Sequence, residues 1–444
     1  MPLKLPEAPL RHPQDAEIFR LALPAFGALV AEPLFLLADS AIVGHLGTAQ
    51  LAGLGIAATI LQSGVSLCVF LAYGTTAAVA RRLGAGDRAG ALRLGVDGLW
   101  LAGLLGAALA LAGFLTAETV VGWFGAEPEA QEHAVTYLRV SMAGLPAMLG
   151  VFAMTGLLRG LQDTKTPLFV AVAANLINVA LNYTLVYGLD MGIAGAALGT
   201  VLAQWASVLV YVFVVQRALR EDGVALGFSL TGVGSSFRAS APLFVRNLSM
   251  RVVIILSAAV AASFGSAELA AHQVAFAIYT ALALGLDAVA IAGQALVGRY
   301  LGAGDLRGAR RASDRMVELS VLFGVVLGFV IFAGRDLISP LFTPDPEVQM
   351  ALSGVLVILA VFQPAAGWVF ALDGVLIGAG DARFLAAGAT LSTIVFAPLA
   401  AVVMAADLGL DALWLAIGAW VLVRLALLVW RARGEAWAVA GATR

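Results

Sequence analysis

Residues 83–87 read LGAGD, and the same five letters return as residues 301–305, after an interval of 218 residues. The same interval relates further identical residues on both sides of this motif. They pair Pro24, Pro146 and Asp163 with Pro242, Pro364 and Asp381, and Gly47, Leu51, Phe124, Pro128 and Glu129 with Gly265, Leu269, Phe342, Pro346 and Glu347. So many identities at one interval indicate an internal duplication.

The composition places this duplicated chain in a membrane. Charged residues make up 12% of the chain and apolar residues 61%, whereas soluble proteins carry about 25% charged residues. With so few charged residues, a soluble protein of this length would expose much apolar surface to water, whereas in a membrane that surface contacts lipid. The net charge of −2 gives no reason to expect a nucleic-acid partner, and the single cysteine, Cys68, excludes an intramolecular disulfide or a thiolate metal cluster.

Twelve stretches are long and apolar enough to span a bilayer as helices. They lie near 17–43, 51–80, 92–116, 132–156, 167–187, 193–216, 237–264, 269–298, 312–333, 348–374, 384–406 and 410–430. Six spans per repeat is an even number, so both halves enter the membrane from the same side. We therefore predict an all-α integral membrane protein with two parallel-repeat six-helix lobes around a central cavity. The predicted parts are an N-terminal segment (1–16), an N-lobe (17–216), a linker (217–236), a C-lobe (237–430) and a tail (431–444).

Basic residues predict the orientation of the chain in the membrane. With the N-terminus inside, 22 of the 26 Lys and Arg residues fall in inner segments, among them Arg424, and only Arg335 falls in an outer loop. Both termini and the linker are then predicted to be cytoplasmic, and the membrane to be the inner (plasma) membrane.

Charged residues at membrane depth are costly, so each acid there is a functional candidate. Glu32 and Asp39 lie seven residues apart, on one face of the first helix. Pro33 lies between them and removes a backbone hydrogen bond, which predicts a break in the helix beside the acids. A structural alternative for Asp39 is a carboxylate that only locks neighbouring helices together.

Amide and hydroxyl side chains in helices 4 to 6 could support that acid. Asn178 and Asn182 share a face of helix 5, and Thr155 and Thr200 lie in helices 4 and 6. Their oxygens could coordinate Na⁺ or bond the protonated form of Asp39. The alternative is polar contact between helices with no role in transport.

The second half holds its own candidates, Asp287 and Asp373, with Arg246 and Arg251 on helix 7 as possible partners. They could bind a cation, or they could form a salt bridge without a transport role. His272 is expected near an outer helix end, in contact with solvent.

The sequence contains no phosphate-binding P-loop, no metal-ligand cluster at recognised spacing and no nucleophile–base pair. An enzyme is therefore not predicted, and no organic cofactor is expected. Without an ATP site, transport would be driven by an ion gradient.

Several motifs, taken together, resemble the multidrug and toxic compound extrusion (MATE) family, and most of all its DinF-like branch. They are Pro24, ADSAIVG at 38–44, the two LGAGD segments, LRGLQD at 158–163 and GIAGAA at 192–197. The resemblance extends over nearly the whole chain. It implies drug efflux in exchange for H⁺ or Na⁺, by alternating access.

The resemblance also implies roles for individual residues. Asp39 occupies the place of the aspartate that couples transport in DinF-like members, with Thr155, Asn178, Asn182 and Thr200 where the supporting cluster should be. Pro24 and Pro33 would allow helix 1 to bend. Related proteins can have an aspartate at Asn182, and its absence favours H⁺ over Na⁺, although Na⁺ at Asp39 and Asn178 stays open. Asp373 resembles the helix 10 acid of the NorM branch.

The expected function is export of amphipathic, often cationic, organic compounds in exchange for H⁺ by a monomer embedded in the lipid bilayer. The alternatives are Na⁺-coupled efflux and a lipid-linked oligosaccharide flippase of related architecture. A membrane-embedded enzyme or receptor fits the duplicated architecture less well.

Overall fold

The computed structural model describes residues 13–443, and the regular elements in that range are helices. In the first repeat they are α1 (Asp15–Gly44), α2 (Thr48–Gly84), α3 (Arg88–Gly122), α4 (Pro128–Met142 and Leu145–Gly160), α5 (Lys165–Gly188) and α6 (Gly192–Glu221). In the second repeat they are α7 (Leu230–Phe264), α8 (Ser266–Gly302), α9 (Leu306–Phe342), α10 (Pro346–Gly378), α11 (Ala382–Ala405) and α12 (Gly409–Arg433).

The number of membrane spans agrees with the prediction. Eleven of these helices are each long and apolar enough to cross a membrane, and the two segments of α4, bent by 52°, make a twelfth span when taken together. The predicted all-α membrane fold with twelve spans is therefore confirmed. Residues 1–12, which hold most of the predicted N-terminal segment, and Arg444 lie outside the described residues.

The duplicated LGAGD motif closes the turn between two helices in each repeat. Gly86 and Gly304 have φ of 80° and 74°, the left-handed region that glycine enters without strain. Asp87 then accepts a hydrogen bond from the Gly90 amide, and Asp305 from the Gly308 amide, both at 2.8 Å. These aspartates cap the first turn of the next helix. The Gly90 amide and the Arg82 guanidinium hold the pKa of Asp87 below its usual value.

The helices of the two repeats pack in the same pairs. Within the first repeat α2, α3 and α6 contact α4, and within the second α8, α9 and α12 contact α10. The fourth helix of each repeat is therefore its central element. This shared pattern is what a duplicated chain is expected to give.

The interval between matching residues changes by one near the last helix of each repeat. Asp190 and Gly192 have positive φ before α6, and Asp407 and Gly409 have positive φ before α12, at an interval of 217 instead of 218. The end of α5, Thr184–Gly188, is a π-helical turn, a form that commonly adds one residue to a helix. Residues of α6 therefore match residues of α12 at an interval of 217.

The described chain forms two units whose boundaries fall inside helices. One unit contains residues 27–241, and the other contains the described residues up to Phe26 together with residues 242 onward. The first turns of α1 thus belong to the second unit, where Arg315 donates two hydrogen bonds to Asp15, at 2.7 and 2.9 Å. The predicted lobe boundaries at 17–216 and 237–430 stay predictions.

The break predicted in helix 1 is absent, because α1 continues from Asp15 to Gly44 across Pro24 and Pro33. Proline removes one backbone bond, and the remaining bonds of a 30-residue helix keep it continuous. The predicted linker 217–236 is also largely helical, since α6 extends to Glu221 and α7 starts at Leu230.

Candidate ion-coupling site

Asp39 lies on α1 with only 3% of its surface exposed. Its Oδ2 accepts a hydrogen bond from the Tyr137 hydroxyl at 2.9 Å, and its Oδ1 accepts one from Asn182 Nδ2 at 2.5 Å. Both donors are neutral, and both are buried. The carboxylate therefore obtains hydrogen bonds in place of water, without a fixed positive charge beside it.

The bonds continue from Asn182 into a short network. Asn178 Nδ2 donates to Thr200 Oγ1 at 3.1 Å, and Asn182 Nδ2 lies 3.2 Å from Asn178 Oδ1. Thr200 in turn donates to the Ala196 carbonyl at 3.0 Å, within its own helix α6. The network connects α1, the first segment of α4, α5 and α6, and all of its side chains are buried. Asp39, Asn178, Asn182 and Thr200 are thus brought together.

Local sequence explains this geometry. Asn178 and Asn182 are four residues apart, so they point from the same face of α5. Gly199 of α6 lies against Asn182, and a Cβ at that position would overlap the Asn182 side chain. A glycine one residue before Thr200 therefore lets α6 approach α5 closely enough for the network to form.

The hydrogen-bond network around Asp39 differs from the prediction in two residues, because Thr155 is not part of it and Tyr137 is. The Thr155 hydroxyl lies 3.1 Å from the Tyr211 hydroxyl, so Thr155 belongs to a different hydrogen bond. Thr155 is on the second segment of α4, beyond the 52° bend, whereas Tyr137 is on the first segment. The bend, which the sequence did not predict, places Tyr137 rather than Thr155 beside Asp39.

Two further side chains of this unit lie apart from the network. Glu32 is exposed on α1, and its place in a substrate cavity stays a prediction. Asn175 Nδ2 donates to the Ala31 carbonyl at 2.7 Å, so it links α5 to α1 through the backbone.

Asp373 in the second unit has a different environment from Asp39. Its Oδ2 accepts from Arg246 Nη2 at 2.7 Å and from Arg424 Nη2 at 2.5 Å, and all three residues are buried. Asp373 already forms ion pairs with two guanidinium groups, so the predicted second-lobe cation site at Asp373 is not supported. The alternative of a salt bridge with Arg246 is the arrangement found.

Arg424 is predicted to lie in an inner segment, and its depth in the membrane stays a prediction. It lies inside α12 with 6% of its surface exposed, above the Trp420 ring at 4.9 Å. Its signal in the sequence was a charge within an apolar span, the same signal that had singled out Asp373. Arg251 and Asp287 are partly buried, and their roles stay predictions.

The expectation for His272 is also wrong. The side chain is buried, 1% exposed, and its ring packs near those of Phe276 and Trp414. Among the described residues, no group of three or more His, Cys, Asp or Glu side chains could hold a metal ion.

These features define a multispan membrane protein built from a duplicated six-helix unit with one buried carboxylate in a neutral polar network. The family model MatE matches residues 24–184 and 242–402, two segments that are themselves 218 residues apart. The chain therefore belongs to the MatE family of multidrug and toxic compound extrusion proteins, whose members are transporters.

Individual relatives agree with this membership. Protein DETOXIFICATION 44, chloroplastic, of Arabidopsis thaliana is 31% identical over 430 residues, which cover 94% of this chain and 81% of the relative. DNA damage-inducible protein F of Escherichia coli is 29% identical over 419 residues, covering 92% and 90%. The prediction of DinF-like relatives is thus confirmed.

Solved structures confirm the fold. A MOP superfamily transporter from Pyrococcus furiosus superposes with a TM-score of 0.85 at 23% identity, covering 96% of each chain. The bent form of the Vibrio cholerae MATE transporter VcmN superposes with a TM-score of 0.85 at 20% identity, covering 95% of this chain and 96% of VcmN.

Proposed function

We propose that this protein exports amphipathic, often cationic, organic compounds in exchange for H⁺, and that Asp39 is the carboxylate that binds the proton. The observation that carries the proposal is the neutral environment of a buried acid. Among the described residues, no Arg, Lys or His nitrogen lies within 4.0 Å of its oxygens. A buried carboxylate without a fixed counterion needs a mobile cation to neutralise it.

The contrast with Asp373 supports this choice of site. Asp373 is neutralised by Arg246 and Arg424. As long as those two ion pairs persist, Asp373 needs no mobile cation. Asp39 has only hydroxyl and amide donors, so its charge can be cancelled by H⁺ and restored by release of H⁺. The coupling chemistry is thus assigned to one repeat, although the scaffold is duplicated.

Protonation changes what Asp39 can bond. The ionised carboxylate only accepts hydrogen bonds, and it accepts from Tyr137 and Asn182. The protonated acid is itself a donor, so it must bond an acceptor and give up one of these donors. Proton occupancy therefore changes how α1 packs against α4 and α5. Pro33, six residues before Asp39, supplies a point at which α1 can bend in response.

Two features favour H⁺ over Na⁺. Sodium binding at Asp39 would require several oxygen ligands around one ion, but Asn182 presents its Nδ2 donor to the carboxylate. Thr200 Oγ1 already accepts from Asn178. The alternative of Na⁺ coupling requires these amides to turn and replace their mutual bonds.

The relatives support export of small organic compounds. A Thermotoga maritima protein that is 26% identical over 371 residues is named as a probable multidrug resistance protein, NorM. We extend that class of substrate to this chain. We also propose a plasma-membrane location with both termini inside. A single cysteine in the linker, Ala225→Cys in a Cys68→Ser background, would test the orientation. A thiol reagent that cannot cross the membrane should label this cysteine when it is applied from the inside and not when it is applied from the outside.

Reconstituted vesicles test the mechanism. We expect a pH gradient alone to drive flux of a fluorescent cation such as ethidium, and a Na⁺ gradient alone to drive none. Asp39→Asn, which cannot bind a proton, should abolish the flux while the variant still inserts and elutes as wild type. Asp190→Asn is the matched control, because Asp190 is exposed at a left-handed position that asparagine tolerates.

Wild-type flux in Asp39→Asn would remove Asp39 from the mechanism. Flux driven by Na⁺ alone would replace H⁺ with Na⁺. Translocation of a lipid-linked oligosaccharide in the same vesicles, without ethidium flux, would favour the flippase alternative.

A further inference from the structure

A cavity lies wholly within the unit that contains α7 to α12. It has a volume of about 420 Å³ and lies among α9, α10, the end of α12 and the segment that follows α12. The side chains that matter for its chemistry are Arg310, Asp314, Glu318, Trp368, Arg433 and Trp437. The volume is within the range of small-molecule sites, about 300–1,000 Å³.

The matching place in the first repeat is filled. At the interval of 218, Arg310 matches Leu92, Asp314 matches Val96 and Leu372 matches Met154. These three residues of the first repeat are buried in one apolar cluster, where they are joined by Tyr211, Val215 and Leu219 of α6.

The difference between the repeats arises at the last helix. Arg433, the last residue of α12, matches Gln216 at the interval of 217, so α6 continues five residues further, to Glu221. Leu219, in that extra stretch, closes the apolar cluster of the first repeat. In the second repeat the chain leaves the helix at Gly434, and Trp437 folds back, with its Nε1 donating to the Ala432 carbonyl at 2.9 Å. The space is left open, and charged residues line it.

The charges around this cavity are only partly matched by the protein. Glu318 accepts from Arg315 at 2.9 Å, and Arg310 lies 3.8 Å from Glu435. Asp314 and Arg433, which are both exposed, take part in no ion pair within 4.0 Å among the described residues. One negative and one positive group therefore face the same cavity without neutralising each other.

We propose that this cavity binds a zwitterionic amphiphile, with its ammonium group at Asp314, its anionic group near Arg433 and its apolar part against Trp368. A ligand with both charges satisfies both side chains, whereas a ligand with one charge leaves the other unmatched. The partly exposed ring of Trp368 supplies an apolar wall for the rest of the ligand. The ligand is either the headgroup of a zwitterionic phospholipid or a soluble compound of the same chemistry.

Ligand titrations of the full chain in dodecyl maltoside, followed by tryptophan fluorescence, test the proposal. The soluble probe is N-dodecyl-N,N-dimethylglycine and the lipid probe is dihexanoyl-phosphatidylethanolamine. The substitutions Asp314→Val and Arg433→Gln introduce the residues found at the matching positions of the first repeat, Val96 and Gln216. Each should weaken binding at least tenfold. Asp336→Val, at the other end of α9, and Arg220→Val, at the end of α6, are exposed controls that should leave it unchanged.

Single-charge probes complete the test. Dodecyltrimethylammonium and decanoate should bind the wild type at least tenfold more weakly than the zwitterion. Binding of only the lipid probe identifies a phospholipid, and binding of only the soluble probe identifies a soluble ligand. Unchanged affinity in both cavity variants, or equal affinity for a single-charge probe, would overturn the proposal.

Two further measurements keep these outcomes distinct from other failures. Asp314→Asn and Arg433→Met keep the size of each side chain and remove its charge, so they replace any variant that does not fold. Trp368→Phe should reduce the fluorescence change on binding, which would show that the change arises at this cavity. Because binding is measured without an ion gradient, its failure is independent of the role proposed for Asp39.

Discussion

At the scale of single residues, two buried aspartates have opposite partners. Asp39 accepts hydrogen bonds from neutral Tyr137 and Asn182, and Asp373 accepts them from two arginines. A hydrogen bond to a charged group contributes about 1.5–3 kcal/mol, so each donor matters. Both donors to Asp39 are neutral, so the structure gives its charge no fixed counterion within the described residues, whereas Asp373 shares its charge with two guanidiniums.

Tyr137→Phe should shift the pH dependence of transport. The substitution removes only the hydroxyl that donates to the ionised form of Asp39, so the protonated form gains population. We expect the pH of half-maximal transport to rise by about one to two units, because a hydrogen bond to a charged group contributes about 1.5–3 kcal/mol and one pH unit corresponds to about 1.4 kcal/mol. Flux across a series of pH gradients measures it. Tyr211→Phe, whose hydroxyl bonds Thr155, is the matched control, and an equal shift in both variants would contradict this account.

Asp373→Asn should mainly reduce stability. It leaves Arg246 and Arg424 buried without their shared carboxylate, and removal of one partner from a buried ion pair costs about 3–5 kcal/mol. Thermal unfolding in detergent should show a clear fall in Tm, together with proton-driven flux in the remaining folded protein. Loss of ion coupling at unchanged Tm would instead assign Asp373 a transport role.

At the scale of elements, the contact between α5 and α6 depends on small residues and a π-helical turn. Gly199 permits the approach of α6 to Asn182, and the turn at Thr184–Gly188 adds the residue that shifts the repeat interval from 218 to 217. The extra residue falls directly after the asparagines of the network. The matching positions in the second repeat are Phe396 and Ala400, so the second repeat has neither the amides nor the π turn.

Gly199→Ala should separate α5 from α6. The added methyl overlaps the Asn182 side chain, and forced overpacking of this kind costs about 1–3 kcal/mol. We expect a lower Tm and reduced proton-driven flux. Gly103→Ala on α3, where no atom lies within 4 Å of the new methyl, should keep both properties or gain slight stability. The same result for both variants would show that the contact at Gly199 is unimportant.

At the scale of the whole molecule, α1 is shared by the two units. Its residues up to Phe26 belong with α7 to α12, and its residues from Gly27, including Asp39, belong with α2 to α6. Within the second unit, Arg315 bonds Asp15, and Arg299 and Tyr300 bond Glu17 at 3.0 and 2.7 Å. The start of the helix that carries Asp39 thus makes its hydrogen bonds within the unit of α7 to α12.

Arg315→Gln should weaken this anchor. Both of its hydrogen bonds to Asp15 are charge-assisted and mostly buried, and their loss should cost about 1.5–3 kcal/mol. Thermal unfolding in detergent measures the change. Arg217→Gln is the control, because its i,i+4 pair with Glu221 is exposed and such pairs contribute only a few tenths of a kcal/mol. Equal effects of both substitutions would show that the anchor contributes nothing.

The sequence by itself determined the twelve spans and the duplication, and it named Asp39, Asn178, Asn182 and Thr200 as candidates that the fold brings together. The apolar composition, the constant interval and the charges within apolar stretches are properties of the order of residues along the chain. They can therefore be detected without knowledge of the fold. Only the tertiary structure decided that Tyr137 rather than Thr155 reaches Asp39, that Arg424 joins Arg246 on Asp373, and that the second repeat keeps a cavity where the first has a core. Those outcomes depend on a 52° bend, on helix facing and on where α12 ends, which are set by packing between distant segments.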